Sequence, residues 1–324
     1  YRILIMAVVA LVLGQLPAAA EHLEVQCPGD VDGDAAWNSS YCAVTLDPCA
    51  SDADCDVLAD PANTCTPEEQ PAGVKCMHLT SGDGFVTMAD GTVLYMFGFA
   101  DATGHPIDDV MVDYILAGAY PGPIIVLDEG DEFYLSLSNV GMLIRPDLFD
   151  PHTVHWHGFP NASSVFDGLP ESGISINMGA TLTYYYNVVE PGTYMYHCHV
   201  EATEHMQMGM LANLYVRPVQ NGMSLGTCGG PTPVPCTKFA YNDGDGSTGY
   251  DREYPIQMSS FDSAFHTASV DVQPLPFAEM RDDYPMLNGR GYPDTVNTSQ
   301  NSLGDVALEP PVENGGISSQ FENA

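Results

Sequence analysis

The chain has 324 residues, with 8 basic against 43 acidic side chains and a formal net charge of −35. That length predicts two compact domains plus extras, and an apolar content of 45% excludes a wholly disordered chain. So few Lys and Arg exclude nucleic acid and anionic lipid as partners, because both need cations to neutralise phosphates; the balance favours cationic partners or a salty environment.

The first element is an apolar run, Ile3 to Leu13, preceded by Arg2 and followed by Leu16-Pro17-Ala18-Ala19-Ala20. This pattern predicts a secretory signal over 1–20, with cleavage at the small residues. Read as a membrane anchor, the run is too short to span and is closed by a proline. The expected location is therefore exported: periplasmic, cell-surface or extracellular.

Residues 21–76 form a predicted acidic, disulfide-rich segment. Six cysteines fall here, Cys27, Cys42, Cys49, Cys55, Cys65 and Cys76, among few large apolar residues. Such a segment needs cross-links in place of a core, and three bridges are expected among fifteen connectivities. Asp30, Asp32 and Asp34 mimic the start of a calcium loop. Ala35 and Tyr41 stand where Gly and Glu are needed, so a solvated acidic loop is expected.

From 77 to 219 the texture is period-two alternation, as in Phe133-Leu135-Leu137 and Leu182-Tyr184-Tyr186-Val188. It is punctuated by Pro121-Gly122-Pro123, Glu129-Gly130-Asp131 and Pro191-Gly192. This reads as all-β, an antiparallel sandwich or barrel. A Gly/Pro/Ser-rich linker over 220–237 carries Cys228 and Cys236, close enough to bridge. A second strand-like region opens near Glu253–Met258, within a last segment 238–324.

Two windows carry the chemistry: His152-Thr153-Val154-His155-Trp156-His157-Gly158, and Tyr196-His197-Cys198-His199 running on to His205 and Met210. Six of the ten histidines lie in them, beside the one cysteine left after four disulfides. Strand alternation places His155 with His157 and His197 with His199, and turns Cys198 and His152 the other way. Two sites follow. The inner one comprises His152, Cys198, His205 and Met210. The outer one is a half-site of His155, His157, His197 and His199.

Two histidines, a thiolate and a weak axial methionine form a blue-copper ligand set, whereas zinc takes four strong ligands. Cys198 is bonded in sequence to His197 and His199, which gives an electron two short covalent routes outward. His22, His78, His105 and His266 fall in no pair and are expected at the surface or in the core.

With Tyr120-Pro121-Gly122-Pro123, Asp167-Gly168-Leu169-Pro170 and Pro191-Gly192-Thr193-Tyr194 added to the two windows, the region 77–219 resembles a cupredoxin domain of the multicopper oxidases. That resemblance implies a Greek-key β-sandwich. Pro285-Met286-Leu287-Asn288-Gly289-Arg290 resembles the opening of a second, truncated cupredoxin domain. The resemblance assigns type 1 copper to His152, Cys198, His205 and Met210, type 2 copper to His155, and type 3 coppers to His157, His197 and His199. It implies an oxidase that couples one-electron oxidation of a donor, Mn(II), Fe(II), Cu(I) or a phenol, to four-electron reduction of O2 to water. The catalytic set would be His155, His157, His197, His199 and Cys198.

Five residues separate His199 from His205, where the common family pattern has three. The family cluster takes eight histidines from two domains and this chain supplies four, so a missing C-terminal part or a second subunit is expected to complete it. Tyr1 and the polar stretch Val312 to Ala324 predict a fragment at both ends. A copper nitrite reductase would carry aspartate near His155 and no histidine after the cysteine. A simple blue-copper carrier would leave the outer histidines without purpose. Glu201, Glu204 and the acidic surface suit a cationic donor or are solvated carboxylates; Met206 and Met208 suit Cu(I) or packing.

Overall fold

The computed structural model describes residues 25–55, 61–160, 162–271 and 274–292. The signal expected over 1–20, His22 and the segment Val312 to Ala324 lie outside them.

Two four-stranded sheets face each other. One contains β1 (Val74–Thr87), β2 (Val93–Asp101), β4 (Glu132–Gly141) and β6 (Thr181–Asn187), in the order β2-β1-β4-β6. The other contains β3 (Ile125–Asp128), β5 (His155–His157), β7 (Gly192–His197) and β8 (Leu211–Arg217), in the order β3-β8-β7-β5. Four of the pairings are antiparallel, but β1 with β4 and β3 with β8 run parallel. A purely antiparallel expectation therefore fails at two ladders, where the chain crosses to the other sheet and back before it pairs again.

Period-two alternation drives the sandwich together. Phe133, Leu135 and Leu137 of β4 meet Tyr184 and Tyr186 of β6 and Trp156 and Tyr196 of the facing sheet, all essentially closed to solvent. Burying each such side chain contributes about 1.5–3 kcal/mol. On the other face of the first sheet lies a buried polar row: Ser138 Oγ meets His78 Nε2 at 2.7 Å and Thr181 Oγ1 at 2.6 Å, and Ser136 meets Thr183 at 2.7 Å. These hydroxyls satisfy one another, which makes their burial tolerable.

β1 starts at Val74, so the boundary drawn at 77 falls inside a strand. Ahead of it, Cys27–Cys76, Cys42–Cys55 and Cys49–Cys65 close the N-terminal segment, and Cys228–Cys236 closes a hairpin in the linker. The acidic loop is not solvated as expected. Asp34 and Glu68 are buried. Asp30 accepts from the Gly33 and Ala35 amides, and Glu68 from those of Val31 and Ser39. The carboxylates act as the loop's missing turn partners, and burial pushes the Asp30 carboxyl up to about 6.

Beyond the linker, Met258–Phe261 pairs with Tyr284–Leu287. The strand expected from Glu253 thus begins only at its last residue, after Pro255. A helix the alternation did not predict, α2 (Ser263–Asp271), follows. These pieces pack on the sandwich, with the Phe261 and Tyr120 rings 4.5 Å apart. No described helix is long and apolar enough to cross a membrane.

Candidate metal centre

The outer histidines are aligned by one ladder. β5 pairs antiparallel with β7, with His155 opposite His197, Trp156 opposite Tyr196 and His157 opposite Met195. Alternation then sends Trp156 and Tyr196 into the core and leaves the histidines on the opposite face. Ring centroids are 5.2 Å apart for His155 and His197, 5.4 Å for His157 and His197, and 5.0 Å for His155 and His199.

Hydrogen bonds orient these rings. His155 Nδ1 donates to the Asp167 carbonyl at 2.6 Å, and His197 Nδ1 to the Cys198 carbonyl at 2.8 Å, which leaves both Nε2 atoms as lone-pair donors. His157 Nδ1 lies 3.2 Å from His197 Nε2. The Asp167 carbonyl can reach His155 because Gly168 is glycine: its φ is +71°, and a Cβ there would meet the Val154 oxygen at 2.2 Å.

The inner set gathers where β7 ends. Cys198 Sγ lies 3.2 Å from His205 Nδ1 and 3.8 Å from His152 Nδ1, with all three residues fully buried. Thr153 braces the junction: its amide points at Cys198 Sγ at 3.5 Å, and its hydroxyl accepts from the His199 amide at 3.0 Å. The loop to Met210 closes on itself through Cys198 N to Met210 O and Met210 N to His205 O. Met210 is fully buried in the same core.

The two extra residues between His199 and His205 are taken up by a short helix, α1 (Ala202–Gln207), entered through Glu201 at φ 45°. α1 turns His205 and Glu204 inward. Glu204 is therefore buried and only Glu201 is an exposed carboxylate of this loop. Met208 is likewise closed in the core, while Met206 is partly exposed. His266 of α2 holds the loop from behind, with ring nitrogens 2.6 Å from the Tyr95 carbonyl and 2.9 Å from that of Gln207.

Burial sets the charge states. It pushes the Cys198 thiol up to about 12, the His205 ring down to about 4, and the His152 ring well below its usual range. Neutral imidazoles offer lone pairs, and a thiol this reluctant to ionise needs a bound cation to become thiolate. In the outer set, His199 Nδ1 is buried without a hydrogen-bond partner. The donor chemistry fits copper.

Sequence reasoning did not single out Thr153 or the carbonyl of Asp167 as partners, nor Asp150, whose Oδ2 lies 3.9 Å from His205 Nε2. Burial, and then Glu201, pushes the Asp150 carboxyl up to about 6. Asp167 sits in a motif already noted; Asp150 and Thr153 carry no pattern. Of the unpaired histidines, His78 and His266 are buried, and His105 lies 3.1 Å from Asp113 near the surface.

Residues 106–221 match the family model described as multicopper oxidase. The multicopper oxidase MCE of Talaromyces pinophilus is 30% identical over 200 residues, 59% of this chain and 29% of that protein. Laccase-1 of Emericella nidulans is 35% identical over 31% of this chain and 15% of its own length. Multicopper oxidase MmcO of Mycobacterium tuberculosis is 39% identical over 25% of this chain and 14% of its own length. A blue copper oxidase structure from Nitrosomonas europaea aligns with a TM-score of 0.46 and 22% identity, over 68% of this chain and 55% of that one. The chain thus spans under a third of the curated relatives it matches. What matches is the stretch that builds both histidine sets, and over that stretch the chain is similar to multicopper oxidases.

Proposed function

We propose that the whole protein oxidises a reducing substrate one electron at a time and reduces O2 to water. The observation that carries this reading is the junction at Cys198: a buried thiol facing two imidazoles on one side, flanked in sequence by His197 and His199, which face the other. In this reading His152, Cys198, His205 and Met210 hold a type 1 copper. His155 holds a type 2 copper, and His157, His197 and His199 hold type 3 coppers. Copper supplies the redox chemistry, and the protein supplies position and dryness.

The residues' own tasks follow from their surroundings. Asp167 fixes the His155 tautomer and the Cys198 carbonyl fixes that of His197, so each ring presents one chosen nitrogen. Thr153 couples the two sets mechanically, since its amide contacts the thiol while its hydroxyl holds the His199 backbone. The histidines here are half of an eight-histidine cluster, and a further domain or a second subunit supplies the other half. Residues 238–324 are read as the opening of a second cupredoxin domain. The protein is read as exported, which suits its four disulfides.

The test uses the full-length, copper-loaded protein. Cys198→Ser abolishes the intense blue band and the narrow-hyperfine EPR signal. His155→Ala stops oxygen uptake and leaves the blue band, since that ring faces away from the thiol. Undiminished oxygen uptake in His155→Ala would overturn the reading.

A further inference from the structure

A line of rings on β1 and β2 runs from the surface to the inner site. Phe85 is 38% exposed, whereas Tyr95, its cross-strand partner, and Phe97 are buried. Ring centroids are 5.7 Å apart for Phe85 and Tyr95, 5.6 Å for Tyr95 and Phe97, and 5.6 Å for Phe97 and His205. A carboxylate lies beside Tyr95. Asp83, which pairs with Phe97 across the β1–β2 ladder, is fully buried. Its Oδ2 accepts the Tyr95 hydroxyl at 3.1 Å and the Ile144 amide at 2.8 Å, and its Oδ1 has no hydrogen-bond partner among the described residues. Holding one hydroxyl and one amide needs only a neutral acceptor. An ionisable group with an idle oxygen is far costlier to bury, but it offers what an amide lacks, a base that can take a proton.

Of these rings the phenol is the one that yields an electron most readily. Burial, then the charge of Asp83, pushes the Tyr95 phenol above its usual range, so it holds its proton until it is oxidised. A phenol that has lost an electron becomes a strong acid, and Asp83 is already in hydrogen-bond contact with it. We propose that Tyr95 is a redox relay for the inner site. When donor is scarce, the oxidised copper centre gains one electron from Tyr95, passed through Phe97 and His205. The phenolic proton moves to Asp83, leaving a neutral tyrosyl radical beside a carboxylic acid. A one-electron reductant at the Phe85 edge, of the same class as the reducing substrate, then returns the electron, and Asp83 returns the proton. Phe85 and Phe97 have no acidic hydrogen to release and serve as packed path, not as stations. The destination of the electron rests on reading His205 as a copper ligand; the radical chemistry of the Tyr95–Asp83 pair does not.

The full-length, copper-loaded protein is reduced, exposed to O2 without further donor and frozen. EPR is expected to show a tyrosyl radical whose signal narrows when the tyrosines are ring-deuterated. Tyr95→Phe keeps the ring and removes only the hydroxyl. In it the radical falls several-fold, as does the number of turnovers survived at limiting donor, while the blue band is retained. Asp83→Asn keeps an acceptor but no base and lowers the radical likewise. Hexachloroiridate(IV), an outer-sphere one-electron oxidant, is then applied to the same three proteins under argon, where no oxygen chemistry is needed. The long-lived part of its radical signal, expected from the buried phenol, follows the same order. A signal undiminished in Tyr95→Phe or Asp83→Asn, or none in the unaltered protein with hexachloroiridate(IV), overturns the proposal. So does the lack of an O2-driven radical while oxygen is consumed. A Tyr95-dependent radical with hexachloroiridate(IV), beside no oxygen uptake at all, would instead count against the oxidase reading.

Discussion

His78 shows at the scale of one side chain how burial becomes pH dependence. The ring is closed to solvent, its Nε2 lies 2.7 Å from Ser138 Oγ, and burial, then the charge of His105, pushes it down to about 4. Folded, it stays neutral; unfolded, it takes a proton near pH 6.5. Its contribution is therefore complete above pH 6.5 and is lost as pH falls towards 4, on the order of 3 kcal/mol in all. Thermal melts between pH 7 and 4 should show a fall in midpoint that is shallower in His78→Gln, which keeps a polar partner for Ser138 but cannot titrate. Equal slopes in the two proteins would rule this out. At the same scale, the gathering of six histidines around Cys198 into two sets was legible in the sequence, because strand alternation fixes which side chains share a face. Thr153, Asp150 and the Asp167 carbonyl were not, since they meet the site through a loop packed across it, and alternation along one strand says nothing about such a loop.

Among elements, the N-terminal segment depends most on covalent bonds. Cys27–Cys76 ties it to the first residues of β1 and spans a sequence separation of 49. Closing a loop of that size restricts the unfolded chain by about 4 kcal/mol in the chain-entropy account. Replacing both cysteines by serine should lower stability by that order and open residues 25–70 to limited proteolysis, while the sandwich retains its blue band. Alkylation of the denatured, copper-free protein should label Cys198 alone, the one free cysteine. More than one labelled thiol would contradict the pairing. Strands such as β4 and β6 could be read from alternation because one face of each is core. α1 could not, since six residues carry less than two turns of pattern. Nor could the late start at Met258, where Pro255 removes an amide that a ladder would need.

For the whole molecule, composition spoke to environment and not to architecture. The charge of −35 fits a surface that gathers cations, and the buried Asp34 and Glu68 show that part of this acidity is structural. The all-β sandwich was legible from punctuation and period. Its two parallel pairings were not, because they join strands distant in sequence and nothing local specifies a non-local partner. By contrast, the four outer histidines were legible as one group, because alternation and the β5–β7 ladder align them on one face.

The alternation that aligns His155 and His157 has an optical consequence. The residue between them must enter the core, and it is Trp156, stacked 3.8 Å from Tyr186 and closed to solvent. The chain has two tryptophans, and the other, Trp37, sits in the N-terminal segment with its indole donating to the Pro28 carbonyl. In Trp37→Phe the protein should emit as a single short-wavelength band from an indole bonded in sequence to two candidate copper ligands. Stepwise copper addition should quench that band as the outer site fills, giving fluorescence that follows metallation of this one site. Full emission at full copper content would locate the metal away from β5.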